Sequence, residues 1–175
     1  MGDATLLLQD FVFGARLLCL LSLMSVGSFA LAGSIEDHCD LPQFDLSGQK
    51  AVSAEDCAKQ CGQNASCKAF VFISGWGRCQ FKSKPSSHKK ITFYAGGNQS
   101  ATPDARDIAA PAIDRDITSR DMKRVDGVKT AEECRKVCVD EPKCQAFTFI
   151  AGYDVCWLKD KTKAAIEKIF YCGEI

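Results

Sequence analysis

The sequence has no surplus of charge of either sign: 22 Lys and Arg balance 22 Asp and Glu over 175 residues. A protein that binds nucleic acid through its phosphates needs a basic surplus, so that class drops out. Histidine is scarce, with only His38 and His88. Neither recurs in the repeat described below, and both read as solvated surface residues, which leaves little room for imidazole chemistry. G-x-S-x-G, H-E-x-x-H and P-loop patterns are absent. The acids are scattered over helix starts and linker, so no hydrolytic pair stands out. A non-catalytic chain without a cofactor or metal is expected. Disorder is excluded on other grounds, because 46% apolar and 25% charged residues is an ordinary globular balance.

What the chain has in excess is cysteine, with eleven residues. One of them, Cys19, lies in an apolar run from Leu17 to Ala32 that follows Arg16 and ends in Ala30-Leu31-Ala32. The small–x–small ending and a length short of the roughly 20 residues a membrane helix needs read as a signal peptide, residues 1–32, cleaved after Ala32. A retained membrane anchor is the alternative, because Asp3 and Asp10 outnumber Arg16. Cleavage would leave 33–175 with ten cysteines and no membrane span. An even cysteine count in a short exported chain reads as a disulfide framework, and so as a secreted protein, extracellular or periplasmic.

Eight of the ten cysteines fall into two quartets. Cys57, Cys61, Cys67 and Cys79 are spaced by 4, 6 and 12 positions, and so are Cys134, Cys138, Cys144 and Cys156. A shift of 77 superposes them, together with Ala69-Phe70-x-Phe72-Ile73 on Ala146-Phe147-x-Phe149-Ile150 and Phe93-Tyr94-x-Gly96 on Phe170-Tyr171-x-Gly173. Residues 53–97 and 130–174 share 17 identities over 45 positions without a gap. The chain is a duplication: module one at 33–97, a Pro-containing linker at 98–114, and module two at 115–175.

Each module reads as α+β. Ser53-Ala-Glu-Asp56 and Thr130-Ala-Glu-Glu133 are capping boxes that start helices over about 54–62 and 131–140. The CxxxC spacing puts two cysteines on one helical face. KAFVFI and QAFTFI alternate as half-buried strands. SGWGR and AGYDV read as hairpin turns, and final strands fall near 91–94 and 169–171. The fold class is therefore one short helix on an antiparallel sheet, twice.

CxxxC on a helix, then C-x-A-F-x-F, then C-x-[FL]-K resembles the PAN/apple superfamily, and the likeness covers both modules. The resemblance implies nested disulfides, Cys57–Cys79 around Cys61–Cys67 and Cys134–Cys156 around Cys138–Cys144; each quartet by itself allows three pairings. Loop closure makes such staples worth about 3 kcal/mol for the longer span and about 2 kcal/mol for the shorter. That matters for modules too small to bury a large core.

Cys39 and Cys172 remain. Shifted by 77, Cys39 falls on Asp116 and Cys172 on Ala95, so each module holds one half of the terminal bridge that apple-type members carry. A Cys39–Cys172 bridge between modules is expected, with exchange of a terminal strand as a natural way to bring the two together. Free thiols or a disulfide-linked dimer are the alternative.

Redox and zinc chemistry are not expected, because CxxxC is not the CxxC of thiol oxidoreductases and export oxidises the quartets. Recognition has better candidates. Trp76 and Tyr153 occupy equivalent turn positions, where an aromatic stacks on a sugar or anchors a protein partner, or packs back on its own helix. Lys82, Lys84, Lys89 and Lys90, with His88, form one basic group in the sequence, and Lys159, Lys161, Lys163 and Lys168 another. They suit a sulfated or acidic polysaccharide, as basic surfaces do in this superfamily, or they guard strand edges. Asn64 and Asn98 head glycosylation sequons. The function expected is recognition of carbohydrate or extracellular protein, of the adhesion type; the alternative is a structural or inhibitory subunit of another secreted protein.

Overall fold

The computed structural model describes residues 33–100 and 106–175; the expected signal peptide and Cys19 lie outside these. In chain order the elements are β1 (Glu36–Asp37), β2 (Cys39–Asp40), β3 (Asp45–Lys50), α1 (Ala54–Gly62), β4 (Ala69–Ile73), β5 (Arg78–Lys82), β6 (Lys89–Lys90), β7 (Thr92–Gly97), β8 (Ala112–Ile113), β9 (Arg115–Asp116), β10 (Asp121–Asp126), α2 (Ala131–Asp140), β11 (Ala146–Ala151), β12 (Val155–Lys159), β13 (Ile166–Glu167) and β14 (Phe170–Glu174). The protein is α+β, with one helix laid on each of two five-stranded antiparallel sheets.

Both helices begin where the hydroxyl caps place them, but only one capping box is complete. Thr130 and Glu133 exchange side-chain and backbone bonds, Glu133 N–H to Thr130 Oγ1 at 3.1 Å and Thr130 N–H to Glu133 Oε2 at 3.2 Å. In α1 the N3 acid is Asp56, one methylene shorter, and its carboxylate accepts from Val52 N–H instead. The inner helical face carries the paired cysteines. Cys57, Cys61, Cys134 and Cys138 are fully buried, against Phe70, Phe72 and Phe81 in one core and Phe147, Phe149 and Leu158 in the other.

The sheets do not follow the sequence boundaries 33–97 and 115–175. Sheet one runs β1-β14-β4-β5-β3, and sheet two runs β10-β12-β11-β7-β8. The final strand of each module lies in the other module's sheet, so each helix is stapled to a sheet that its own repeat does not complete. The exchange is reciprocal: Val71 of β4 faces Cys172, as Thr148 of β11 faces Ala95. Both exchanged strands are interior, which extends their pairing beyond the expected 91–94 and 169–171 to 92–97 and 170–174.

Positions 77 apart meet the same neighbours, as they must about an approximate two-fold axis. Phe93 and Phe170, equivalent to each other, touch with ring centroids 5.3 Å apart. A Cβ at Gly75 would sit 2.2 Å from the carbonyl oxygen of Glu167, and one at Gly152 would sit 2.1 Å from that of Lys90. Only glycine admits the crossing chain at these two equivalent turns.

The segment read as linker is partly built into the fold. Asn98 bridges to Ile108, β8 extends sheet two beside β7, and Ile108 is buried in the second core. Tethering by β7, which has moved into sheet two, gives this stretch a surface to pack on that its composition does not reveal.

Candidate functional site

Five disulfides are present among the described residues: Cys57–Cys79, Cys61–Cys67, Cys134–Cys156, Cys138–Cys144 and Cys39–Cys172. The last spans 133 positions and ties β2, near the start of module one, to β14, near the end of module two. Cys39, Leu41, Val71, Ile73 and Cys172 close over it as an apolar cluster.

The position related to this bridge by the repeat is polar. Asp116 stands where Cys39 does, Thr148 where Val71 does and Lys168 where Ile91 does. Lys168 Nζ lies 2.9 Å from Asp116 Oδ2, and Thr148 Oγ1 donates to Asp116 Oδ1 at 2.8 Å. The pair is dry, with side chains only 6% and 9% exposed. Burial holds the Lys168 ammonium below its usual range, and the charge and hydrogen bond of Asp116 oppose that shift.

A cleft of about 440 Å³ opens beside this pair, on the approximate two-fold axis. Trp76, Ile91 and Phe93 reach it from module one. Their counterparts Tyr153, Lys168 and Phe170 reach it from module two, with Trp157 beside them. Lys168 Nζ sits 3.5 Å from the Trp76 ring centroid and 4.5 Å from that of Phe93, which fixes the indole as one wall. Trp76 is still half-exposed and also lines a second hollow with Gln49 and Arg78.

Both turn aromatics make contacts across the modules. Trp76 faces the other module's Lys168. Tyr153 donates its hydroxyl to Asp40 Oδ2 of module one at 2.5 Å, under the Lys89 ammonium at 4.3 Å. Burial first, and then Asp40, push the Tyr153 phenol well above its usual range.

The lysines read as basic patches divide into buried and exposed side chains. Lys82 and Lys159 are buried and held at 2.5 Å by Asp45 and Asp121. Lys84 lies over the Phe44 ring at 4.4 Å, and Lys89 is spent on Tyr153. Lys90 and Lys161 are exposed, and neither lines the cleft. Alternation along a strand and an acidic partner across the sheet, invisible in a run of lysines, separate these side chains.

The histidines are not free surface groups either. His38 Nε2 is 2.8 Å from Asp114, and His88 lies between Glu36 and Glu174. His38 thus ties module one to the end of the linker, and His88 ties it to module two. Burial lowers the pKa of His38, but Asp114 and Asp37 outweigh it, so the net shift is upward. The Glu36 hydrogen bond, with help from Glu174, raises that of His88.

Asp116, Trp157, Phe93 and Phe170 were not singled out by sequence reasoning. For Asp116 a signal existed: a charged residue at a repeat position that elsewhere holds a buried cysteine needs a buried partner, and Lys168 replaces Ile91 in the same repeat. Among the described residues no helix is long and apolar enough to cross a membrane. No curated protein matches the chain. The family model of the PAN domain matches twice, over 36–103 and 112–171. PAN domains mediate binding to proteins or carbohydrates and, when rich in disulfides, are typical of extracellular proteins. The chain belongs to the PAN domain family, as two tandem PAN domains joined by exchange of their last strands.

Proposed function

We propose that this is a secreted, non-catalytic recognition protein that binds carbohydrate in the cleft between its two PAN domains. The observation that carries this reading is the cleft itself. Five aromatic rings, Trp76, Phe93, Tyr153, Trp157 and Phe170, line it together with hydroxyls and paired charges. Flat rings offer apolar faces to the C–H side of a sugar, and few polar groups suffice to orient it. Because disulfides and an interior strand exchange hold both walls, little ordering entropy is lost on binding. The two acids at the cleft, Asp116 and Asp121, are each held by a lysine, which supports a binding role over acid–base catalysis. The export part of the reading draws on the disulfides and on the apolar run at 17–32.

The test is a glycan array probed with the oxidised chain and with Trp76→Ala. Retention of a defined glycan set that falls about tenfold or more with the variant supports the reading. Equal retention by both, or none by either, overturns it.

A second reading has its own observation. The β3 edge is exposed along its whole length, with Leu46 and Val52 protruding beside it. An exposed edge suits a protein partner that adds a strand, as a structural or inhibitory subunit would require. A salt-insensitive protein pull-down lost on Gly48→Pro, with glycan binding absent, would favour it.

A further inference from the structure

We infer that the cleft selects an uncharged pyranose chain over a sulfated or uronic one. This rests on the carbohydrate reading above and names the ligand class for the same site.

The charges in the cleft wall are two carboxylates, Asp116 and Asp121, and two ammonium groups, Lys159 and Lys168. They cancel pairwise, at 2.9 Å for Asp116 with Lys168 and 2.5 Å for Asp121 with Lys159. Both lysine side chains are about nineteen-twentieths buried. A sulfate or carboxylate entering the cleft would find no uncommitted cation among its lining residues; Lys89, over the Tyr153 ring at 4.3 Å, and Arg124, 5.5 Å from the Trp157 ring and paired with Asp126, stand behind the rings and outside the lining. To gain one it would have to pull Lys168 from Asp116, leaving a desolvated carboxylate without its partner, which is strongly unfavourable. It would also draw the ammonium away from the Trp76 and Phe93 rings that hold it. Exposed lysines give no substitute, because Lys84, Lys90, Lys161 and Lys163 do not line the cleft.

An uncharged sugar meets none of these costs. Trp76 is fixed from one side by Lys168 yet half-exposed, and it lines hollows of about 440 and 480 Å³ in two directions. It is the wall between two subsites along which a chain of rings can lie. Thr118, exposed at the mouth, is a hydroxyl with donor and acceptor capacity suited to sugar hydroxyls. Binding of this kind is driven by stacking and local hydrogen bonds, and so is insensitive to ionic strength, whereas binding of a polyanion by surface lysines weakens as salt rises.

The experiment measures retention of the full oxidised chain on immobilised neutral oligosaccharides of hexoses and N-acetylhexosamines, and on heparin and chondroitin sulfate fragments, at low and at high salt. The expected result is retention on a neutral set that changes less than about twofold with salt. Trp76→Ala and Trp157→Ala each reduce it about tenfold or more, while Trp76→Phe retains most of it and Lys84→Ala leaves it unchanged. Intact disulfides in each variant, checked by non-reducing peptide mapping, exclude misfolding as the cause. Preference for the sulfated fragments, with steep loss in salt or on Lys84→Ala, overturns the inference and leaves carbohydrate binding standing. Retention on neither class overturns both.

Discussion

The two halves of the molecule solve one packing problem with opposite chemistry. Where the exchanged strand β14 enters sheet one, Cys39 and Cys172 lock it covalently inside an apolar cluster. Where β7 enters sheet two, the equivalent positions are Asp116 and Ala95, and the space is organised by Asp116, Lys168 and Thr148. The exchange is reciprocal, so one covalent lock restrains both strands: β14 cannot leave sheet one without carrying module two away from β7. The second site is thereby released from a cross-linking role and carries polar groups at the edge of an open cleft. A buried ion pair adds little net stability, since desolvation offsets its attraction, but it is intolerant of losing one partner.

That contrast predicts opposite responses to symmetric changes. Removing the bridge with Cys39→Ala and Cys172→Ala is expected to cost up to about 5 kcal/mol, because it frees the longest loop in the chain. Replacing Asp116 and Lys168 together by Leu and Met is expected to change stability by less than about 1 kcal/mol, while Asp116→Leu alone, which strands a buried ammonium, costs about 3 kcal/mol. Urea unfolding measures all three, with unchanged slopes for the Asp116 and Lys168 variants and a steeper one for the bridge-less chain, whose unfolded state is more open. A bridge-less variant as stable as the parent would erase the distinction between the two sites.

A second change tries to make the halves alike. Ala95→Cys and Asp116→Cys, with Lys168→Ile to remove the orphaned cation, place cysteines where the repeat puts Cys172 and Cys39. The expected outcome is a sixth disulfide that adds about 3 kcal/mol, closing a loop about as long as that of Cys57–Cys79. Two free thiols in the non-reducing peptide map would show that the two positions are not equivalent in space.

The smallest effect tests the outer seam. His38 reaches to Asp114 at the end of the linker, His88 lies between Glu36 of its own module and Glu174 of the other, and both have folded pKa values raised above 6.5. A raised pKa means that the stabilisation is fully present below 6.5 and lost as pH climbs through the folded values. Between about pH 6 and about pH 8 stability should fall by under about 1 kcal/mol, because both rings are partly exposed and screened. With His38→Gln and His88→Gln together, that slope should vanish from a series of Tm measurements; a slope that persists would place the titration elsewhere.

Much of each module was legible because its determinants are local. Ser53 and Thr130 start helices through bonds to residues three positions on, and the CxxxC face follows from helical periodicity. The nested pairing came from family likeness, and the structure has those same pairs. The candidate site was legible only in pieces. Trp76 and Tyr153 stood out as turn aromatics, yet their partners lie 92 and 113 positions away, in Lys168 and Asp40. The burial of Lys82 and Lys159 was hidden for the same reason, since a run in sequence does not record which side chain turns inward to an aspartate on the neighbouring strand.

By itself the sequence determined a twice-copied, cysteine-stapled α+β unit, because caps, strand alternation and short disulfide loops are written within about 25 residues of each other. It also pointed, through unmatched Cys39 and Cys172, to a bridge between the copies, with free thiols or an intermolecular disulfide left open. Only the tertiary structure decided that the joining is an exchange of interior strands, that a dry Asp116–Lys168 pair replaces the second bridge, and that the two modules share one aromatic cleft. Those outcomes depend on which surfaces from distant parts of the chain fit together, and strand pairing is indifferent to whether the added strand comes from its own repeat or the other.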